Sequence, residues 1–506
     1  MEKYLYTPNK CKDCYHVTMA YPAIEEFALS SLGYMWLFKL LDESSFVEAD
    51  RVYTDSPVLN LSKTDALAFS LSFDFDFMGV FEILEKNKIP FLAKDRDDSC
   101  PIIFAGGPVI TTNPEPLKQI FDFMLIGDGE LLIQKVVEIL DKRLSKKDTL
   151  TVLASLKGVY VPTISVEVDK VTEELNTVIY TPVLSDKSYF KDTFIVEVSR
   201  GCMNRCAFCT ASYLNLPFRY YEYEKIISAI ELGLKYTNKI ALLGAQISAH
   251  PDFNRIMKYL RDKIESGVDI ELGISSLRTD SVTPELVQTL VLGGQKTSTI
   301  AIEAASESLR KFINKNLKEE QILNAVKVSR ENGLKGLKIY SMIGIPNETQ
   351  EDIDEFLRLA KLIKSENKGF EITFSFSSFV PKPHTPLHWS PRENTKSLEK
   401  KQKYLEKELA KIGVGAKFSS IKWDYWQTLI SRGDETITEF LIQVYKKGGN
   451  NGAYKSALKE CKLDIGNAIN GYSHGDTLPW EFIKNEPRKD LLLNEVARLS
   501  KRTSII

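Results

Sequence analysis

Histidine and cysteine are scarce in this chain: five His and seven Cys among 506 residues. Yet three of the cysteines crowd into one stretch, residues 199 to 213, "SRGCMNRCAFCTASY". An excess of charge of one sign is also missing. A formal net charge of −2 excludes a chain-wide basic footprint for nucleic acid and leaves room only for a local patch. No uninterrupted apolar run reaches the roughly 18 residues a membrane span needs. The start, "MEKYLYTPNKCKDC", lacks the apolar core of a signal peptide. A soluble cytoplasmic protein is expected. In that compartment thiols stay reduced, and clustered cysteines bind metal more often than they pair. Low-complexity segments and solenoid-period repeats are absent too. What remains is ordinary globular material, 43% hydrophobic and 26% charged, long enough for about three domains.

The middle of the chain alternates strongly. Candidate strands are "TFIVEVS" (193–199), "KIALLGA" (239–245), "VDIELGIS" (268–275), "STIAIEA" (298–304), "GLKIYSMIG" (336–344) and "ITFSFSSF" (372–379). Helical patterns lie between them. Over 350–365, Ile353, Phe356, Leu357, Ala360 and Ile363 recur on one face, and Thr349 with Asp352 gives the N-terminal capping signal. A second helix, about 319–332, stops at Asn332-Gly333. Six strand–helix units in a row predict a parallel sheet curled into a partial (β/α)6 barrel, with functional residues at the strands' C-terminal ends. Residues 1–185 read separately. "ALAFSLSF" (66–73), "IIFAGG" (102–107) and "FDFMLIG" (121–127), with a helix over 131–142, form a doubly wound Rossmann-like α/β pattern. The expected domains are therefore 1–185, 186–393 and a helical 394–506. The last carries a net charge of +6 against −8 for the rest, which reads as a solvated helical face.

Cys202, Cys206 and Cys209 have the spacing Cys-x3-Cys-x2-Cys, on a loop directly after a predicted strand. A structural zinc site wants four closed ligands. Iron–sulfur clusters are held by thiolates, and a four-iron cluster on three cysteines leaves one iron open for a small molecule. A zinc knuckle that borrows a distant ligand is the alternative, although this spacing misses the usual zinc patterns.

"RGCMNRCAFC", with Phe208 before the last cysteine, resembles the signature of the radical S-adenosylmethionine (radical SAM) superfamily. "GAQ" (244–246), "SSLRTDS" (275–281), "IAIEAASESLRKFINK" (300–315), "KIYSMIGIPNETQEDI" (338–353) and "SFSSFVPKPHTPLHW" (375–389) resemble its later strand-end motifs in order. The likeness covers about 190 to 390. It implies one [4Fe–4S] cluster on Cys202, Cys206 and Cys209, S-adenosylmethionine on the open iron, and reductive cleavage to a 5′-deoxyadenosyl radical. It also implies an electron donor such as flavodoxin or ferredoxin. By the same resemblance Gly244 admits the methionine end. Ser275 and Arg278 contact the carboxylate or ribose, Glu303 the ribose hydroxyls, and Gly344 and Val380 flank the adenine. Each has a plain structural reading beside it: Glu303 as an ion-paired residue, Gly344 as a turn.

The first region is similar to the cobalamin-binding-type domain fused to many such proteins. Its marks are a proline-led loop ("YPAIEEFALSSLG", 21–33), Ser70 to Ser72, the double glycine Gly106-Gly107 and the turn Gly129-Glu130. The Asp-x-His-x-x-Gly motif that supplies a lower cobalt ligand is absent. Cobalamin bound without a protein ligand and a scaffold that binds nothing both remain open. The leading reaction implied is methyl transfer from cobalamin to an unactivated carbon. The rivals are a cobalamin-free radical oxidation or rearrangement, methylthiolation of transfer RNA, and a non-catalytic iron–sulfur or zinc protein. The substrate is not legible. Elsewhere, Cys11, Cys14 and His16 read as ordinary reduced thiols beside a histidine, with part of a metal site as the alternative. Cys100 and Cys461 read as structural. His384 and His388 fall on the expected rim, as proton carriers or as packed loop residues.

Overall fold

The structure is a computed structural model that describes residues 2–9, 11, 14–485 and 488–503. The first region builds one sheet. Its strands are β1 (Tyr15–Ala20), β2 (Val47–Val52), β3 (Ala66–Ser70), β4 (Ile102–Gly106), β5 (Phe123–Leu125) and β6 (Val159–Tyr160). Their order is β2-β1-β3-β4-β5-β6, with the first five parallel and β6 antiparallel. This is a doubly wound sheet whose strand order reverses beside β1, and such a reversal opens a crevice at the strands' C-terminal ends. β1 and β2 were not read from sequence: β1 is buried at every position and shows no alternation.

The second region carries β7 (Phe194–Glu197), β8 (Lys239–Leu243), β9 (Glu271–Ile274), β10 (Thr297–Glu303), β11 (Gly336–Ile343) and β12 (Glu371–Ser378). All pair in parallel, in chain order, with a break at Ser275-Ser276 before the two-residue strand Leu277–Arg278. The Thr349 cap is formed as expected, with Asp352 N–H donating to Thr349 Oγ1 and Thr349 N–H to Asp352 Oδ2. Alternate residues divide the two faces. Ile240, Leu242, Leu272, Ile300, Ile302, Ile339, Ile372 and Phe374 are buried under the helices. Their neighbours Ala241, Thr299, Ala301, Thr373 and Ser375 are small or polar and only half-buried. The same face also carries Lys338 and Tyr340, paired across the sheet with Thr299 and Ala301, so the lumen lining mixes short residues with two long ones.

The third region departs from the expected helical unit. Helix Thr395–Ile412 returns along the barrel, and β13 (Gly415–Phe418) adds a seventh parallel strand beside β12. A charged amphipathic helix followed by four strand residues has no strong period-2 signal of its own, so β13 is hidden in sequence. Beyond it, Trp426, Phe440, Tyr454 and Trp480 share one core with Phe69 of the N-terminal sheet and with Phe77 and Phe81 of the helix Phe77–Lys86 packed on it. The boundary expected at 394 thus falls inside the barrel sheet, and the helices after it cover the N-terminal sheet. Among the described residues, no helix is long and apolar enough to cross a membrane.

Candidate active site

The cysteine loop leaves the barrel after β7. Its ends are clasped by a short antiparallel pair, Ser199–Arg200 with Arg219–Tyr220. Gly201 makes the turn possible at φ +80°, where a side chain would strike the Asn215 carbonyl oxygen. Asn314 Nδ2 donates to the carbonyls of Asn204 (3.2 Å) and Arg205 (2.8 Å), and Tyr213 OH donates to Arg205 O at 2.9 Å. Ala207 N–H donates to Ile313 O, and Leu387 N–H donates to Ala207 O. An apolar shell of Ala304, Leu309, Phe312, Ile313, Met342 and Phe379 closes on Ala207 and Phe208.

Cys202 and Cys206 are buried. Burial pushes the Cys206 thiol up to about 12 and raises Cys209 as well; Cys206 also feels the charge of Cys209 and Cys202, and Cys209 that of Cys202. Among the described residues, no three His, Cys, Asp or Glu side chains converge closely enough for a single metal ion. Zinc wants its ligand atoms within about 2.3 Å of one point. Cys202 Sγ donates to Gln246 Oε1 at 3.4 Å, and Asn204 Nδ2 donates to both Cys202 Sγ and Gln246 Oε1.

The other barrel residues singled out from sequence all lie at C-terminal strand ends, on the same rim as this loop. A Cβ at Gly244 would lie 2.7 Å from Ser199 Oγ, so glycine lets the end of β8 approach the cysteine strand. Ser275 is exposed at the break after β9. Arg278 pairs with Asp280 at 2.7 Å. Glu303 ends β10 at φ +66°, a conformation that costs a non-glycine residue about 1–3 kcal/mol. Its carboxylate accepts a hydrogen bond from Lys315 Nζ at 3.0 Å. Gly344, at φ +79°, sits against Leu398 and donates its N–H to Glu348 Oε2 at 2.8 Å. Val380 is half-buried just past β12.

Lys315 was not anticipated. It is buried, and the carboxylate of Glu303 and the Cys206 thiol offset the cost of burying its charge and raise its pKa. Gln246 and Asn314 were missed for the same reason: nothing in a local pattern marks a residue that meets the loop only after folding, whereas Asn204 stood inside the loop and was passed over.

The N-terminal marks behave differently. At Gly107, φ is +104°, and a side chain would strike the Leu71 carbonyl oxygen. Gly107 therefore serves backbone-to-backbone packing, and a bulky residue there would disturb the fold itself. A Cβ at Gly106 would meet Leu125 at 3.4 Å, an ordinary contact. Gly129 precedes helix Glu130–Leu140, and Glu130 is drawn into an ion pair. Arg200, two residues before Cys202, reaches Glu130 at 2.7 Å, Asp128 at 3.0 Å and Glu197 at 2.8 Å, while Arg219 meets Asp128 at 2.6 Å. Ser70 is half-buried at the end of β3, and Ser72 is exposed, its N–H donating to Asp76 Oδ2 at 2.6 Å. Around this reversal point Ile24, Phe27 and Phe73 present exposed apolar surface.

The structure joins Cys11 and Cys14 in a disulfide, with Cα atoms 5.9 Å apart. Reduced thiols were expected; the two-residue spacing brings the Cα atoms within disulfide range. His16 takes no part, since its Nε2 pairs with Asp50 Oδ2 at 2.9 Å.

Comparison with known proteins follows the same division. A family described as "Radical SAM proteins, N-terminal" matches residues 33–162, and one described as "Radical SAM superfamily" matches 196–360. The chain is 31% identical over 409 residues to the uncharacterized protein MJ0966 of Methanocaldococcus jannaschii, covering 79% of this chain and 84% of that one. It is 26% identical over 372 residues to the uncharacterized methyltransferase PH0819 of Pyrococcus horikoshii, covering 70% and 77%. The fold is similar to that of the cobalamin-dependent S-adenosylmethionine radical enzyme OxsB, solved with aqua-cobalamin and S-adenosylmethionine bound: TM-score 0.57, 14% identity, 98% of this chain and 76% of the other. With a cysteine loop and strand ends converging on one rim and two thirds of the chain or more shared with these relatives, the protein belongs to the radical SAM superfamily of enzymes.

Proposed function

We propose that this enzyme cleaves S-adenosylmethionine reductively at a [4Fe–4S] cluster and methylates an unactivated carbon with the help of a corrinoid. The observation that carries the reading is the three-thiol loop at the mouth of the barrel, on the same rim as the strand ends that bear Gly244, Glu303 and Gly344. Cys202, Cys206 and Cys209 would hold the cluster. When bound, the cluster supplies the electron that breaks the cofactor's C5′–S bond, and the corrinoid supplies a transferable methyl group. Asn204 and Gln246 brace Cys202, and the Asn314 carboxamide fixes the loop backbone. Lys315 places a positive charge beside Cys206, which favours thiolate over thiol. Glu303 is held by Lys315 with a second carboxylate oxygen available to ribose hydroxyls. Gly244 keeps the end of β8 clear of a side chain, and the apolar shell excludes water. For the corrinoid, the reversal point of the N-terminal sheet offers a fitting seat, with Ser70, Ser72 and the exposed Phe73 at its edge. Gly107 and Glu130 are engaged by the protein itself and leave that role, while Gly106 and Gly129 remain open to it. The likeness to cobalamin-dependent OxsB supports a corrinoid, and that to a methyltransferase-named relative supports methyl transfer.

Anaerobically reconstituted protein should hold about four irons, by the ligation logic of such clusters. The triple Cys→Ala variant should lose them and the brown chromophore. With dithionite or flavodoxin, 5′-deoxyadenosine should accumulate, and added hydroxocobalamin should co-purify. Stoichiometric zinc after anaerobic preparation overturns the cluster. A protein that makes 5′-deoxyadenosine but retains no corrinoid returns the reaction to radical oxidation or rearrangement.

A further inference from the structure

A cleft of about 780 Å³ opens beside the cysteine loop, at the edge of the N-terminal sheet. None of Gly244, Ser275, Arg278 or Glu303 lines it. One wall is the parallel pair Val168–Asp169 with Ile483–Lys484, and another is Leu216-Pro217, which ends the cysteine loop. The floor holds His388, only 2% exposed, and both of its ring nitrogens lack a hydrogen-bond partner. The carboxamide of Asn485, on the same lining, likewise has its oxygen and nitrogen buried and unpartnered. A buried polar group left without a partner costs about 1–3 kcal/mol. Four such atoms on one cleft are a concentration the fold does not explain.

The rim is basic. Lys484 and Lys489 are paired with Glu167 and Glu481. Lys170 donates to the Thr172 hydroxyl at 2.6 Å and makes no close ion pair among the described residues; burial lowers its pKa, the more distant Asp128 opposes that, and Arg219 and the exposed Lys157 add to it. Burial keeps His388 neutral, and nearby His384 and Arg432 act in the same direction. A neutral imidazole gives one hydrogen bond and takes one. A carboxamide does the same.

We propose that this cleft binds a small organic anion whose buried end carries a hydroxyl or carboxamide, with Lys157 and Lys170 taking the anionic group and His388 and Asn485 the polar end. Leu478, Ile483 and Leu492 suit an apolar body between the two. Binding here does not depend on the methyl-transfer reading. The anion comes from the substrate or from a ligand that never reacts, and the two sources are told apart below.

The test uses the full chain, reconstituted with its cluster under anaerobic conditions. Binding of 4-hydroxyphenylacetate and 4-hydroxyphenyl phosphate is measured by calorimetry against phenylacetate, which lacks the hydroxyl, and 4-hydroxyphenylethanol, which lacks the anion. At least one hydroxylated anion should bind saturably, with both controls several-fold weaker. Lys170→Met should weaken it about tenfold, the worth of one charged hydrogen bond. His388→Leu should abolish the preference for the hydroxyl. Should that variant not fold, Asn485→Leu reads the same preference. No saturable binding of either anion, or affinity unchanged in Lys170→Met, overturns the proposal. A bound anion that speeds 5′-deoxyadenosine release marks the cleft as the substrate's; one that binds without that effect marks a ligand that does not react. Absence of 5′-deoxyadenosine under all conditions strikes the proposed reaction and leaves the binding result standing.

Discussion

Two rims of strand ends bear glycines in this protein, and those glycines face different neighbours. On the N-terminal sheet, Gly107 lies under the Leu71 carbonyl and Gly127 under that of Val171. Those glycines let backbone pack on backbone. On the barrel, a Cβ at Gly244 would meet the Ser199 hydroxyl first, at 2.7 Å, and then Ile247 Cγ2 and the Ser199 carbonyl oxygen, both at 3.2 Å. The same residue type in the same kind of position is pressed by a fixed carbonyl in one place and first by a side chain in the other. A glycine at a strand end is therefore weak evidence for a ligand until its neighbour is known.

The largest test of this contrast is Gly107→Leu. A positive φ combined with a blocked Cβ should cost more than about 4 kcal/mol, in the exceptional range for one substitution. Denaturant unfolding should show loss of the N-terminal sheet, whether or not corrinoid is present. A stable Gly107→Leu protein that merely loses corrinoid would reverse the comparison.

Next comes the joint between the rims. Arg200→Met would leave Asp128, Glu130 and Glu197 as partly buried carboxylates with their shared partner gone. Breaking such a pair costs on the order of 3–5 kcal/mol. The network also fixes a pH dependence. Burial alone would raise the Asp128 carboxyl, but Arg200 and Arg219 outweigh it and hold it below its ordinary value. A carboxylate depressed in the folded state contributes stability above its unfolded pKa of about 3.9, and that contribution is lost as pH falls through the folded value. Acid unfolding below about pH 4 should therefore be less steep in Asp128→Asn than in the parent. Equal slopes would show that Asp128 is not linked to folding.

Smaller effects belong to the barrel rim. Gly244→Ala should cost about 1–2 kcal/mol at most, since Ser199 Oγ can move aside, while its effect on S-adenosylmethionine affinity should be the greater. Equal losses in stability and affinity would make Gly244 as structural as Gly107. Smaller still in stability is Glu303→Gln, which keeps a hydrogen-bond acceptor for Lys315. If Glu303 anchors the ribose, equilibrium dialysis should show affinity weakened by about 1–3 kcal/mol. Unchanged affinity would leave Glu303 as the partner of Lys315 and nothing more.

Much of this was legible before folding. Residues three and four apart place Ile353, Phe356 and Ile363 on one helix face, and Thr349 caps that helix within its own turn, so local spacing sufficed. The barrel strands announced themselves by alternation, and the three thiols by crowding in a chain poor in cysteine. Strand β13 did not, because four residues after a charged helix carry too little pattern. Nor did the reach of Trp426 and Tyr454 to the N-terminal sheet, since a helix's apolar face does not name the surface it will cover.

Sequence by itself therefore determined the six barrel strands, the capped helix over 350–365 and the loop that gathers Cys202, Cys206 and Cys209, because each depends on neighbours within a few turns of backbone. The tertiary structure alone decided that Glu130 serves Arg200, that Lys315 stands beside Cys206, and that His388 and Asn485 share one cleft. Those pairings join residues about 70 to 110 positions apart. They arise only when packed layers fix distance and exclude water, and no local propensity encodes either.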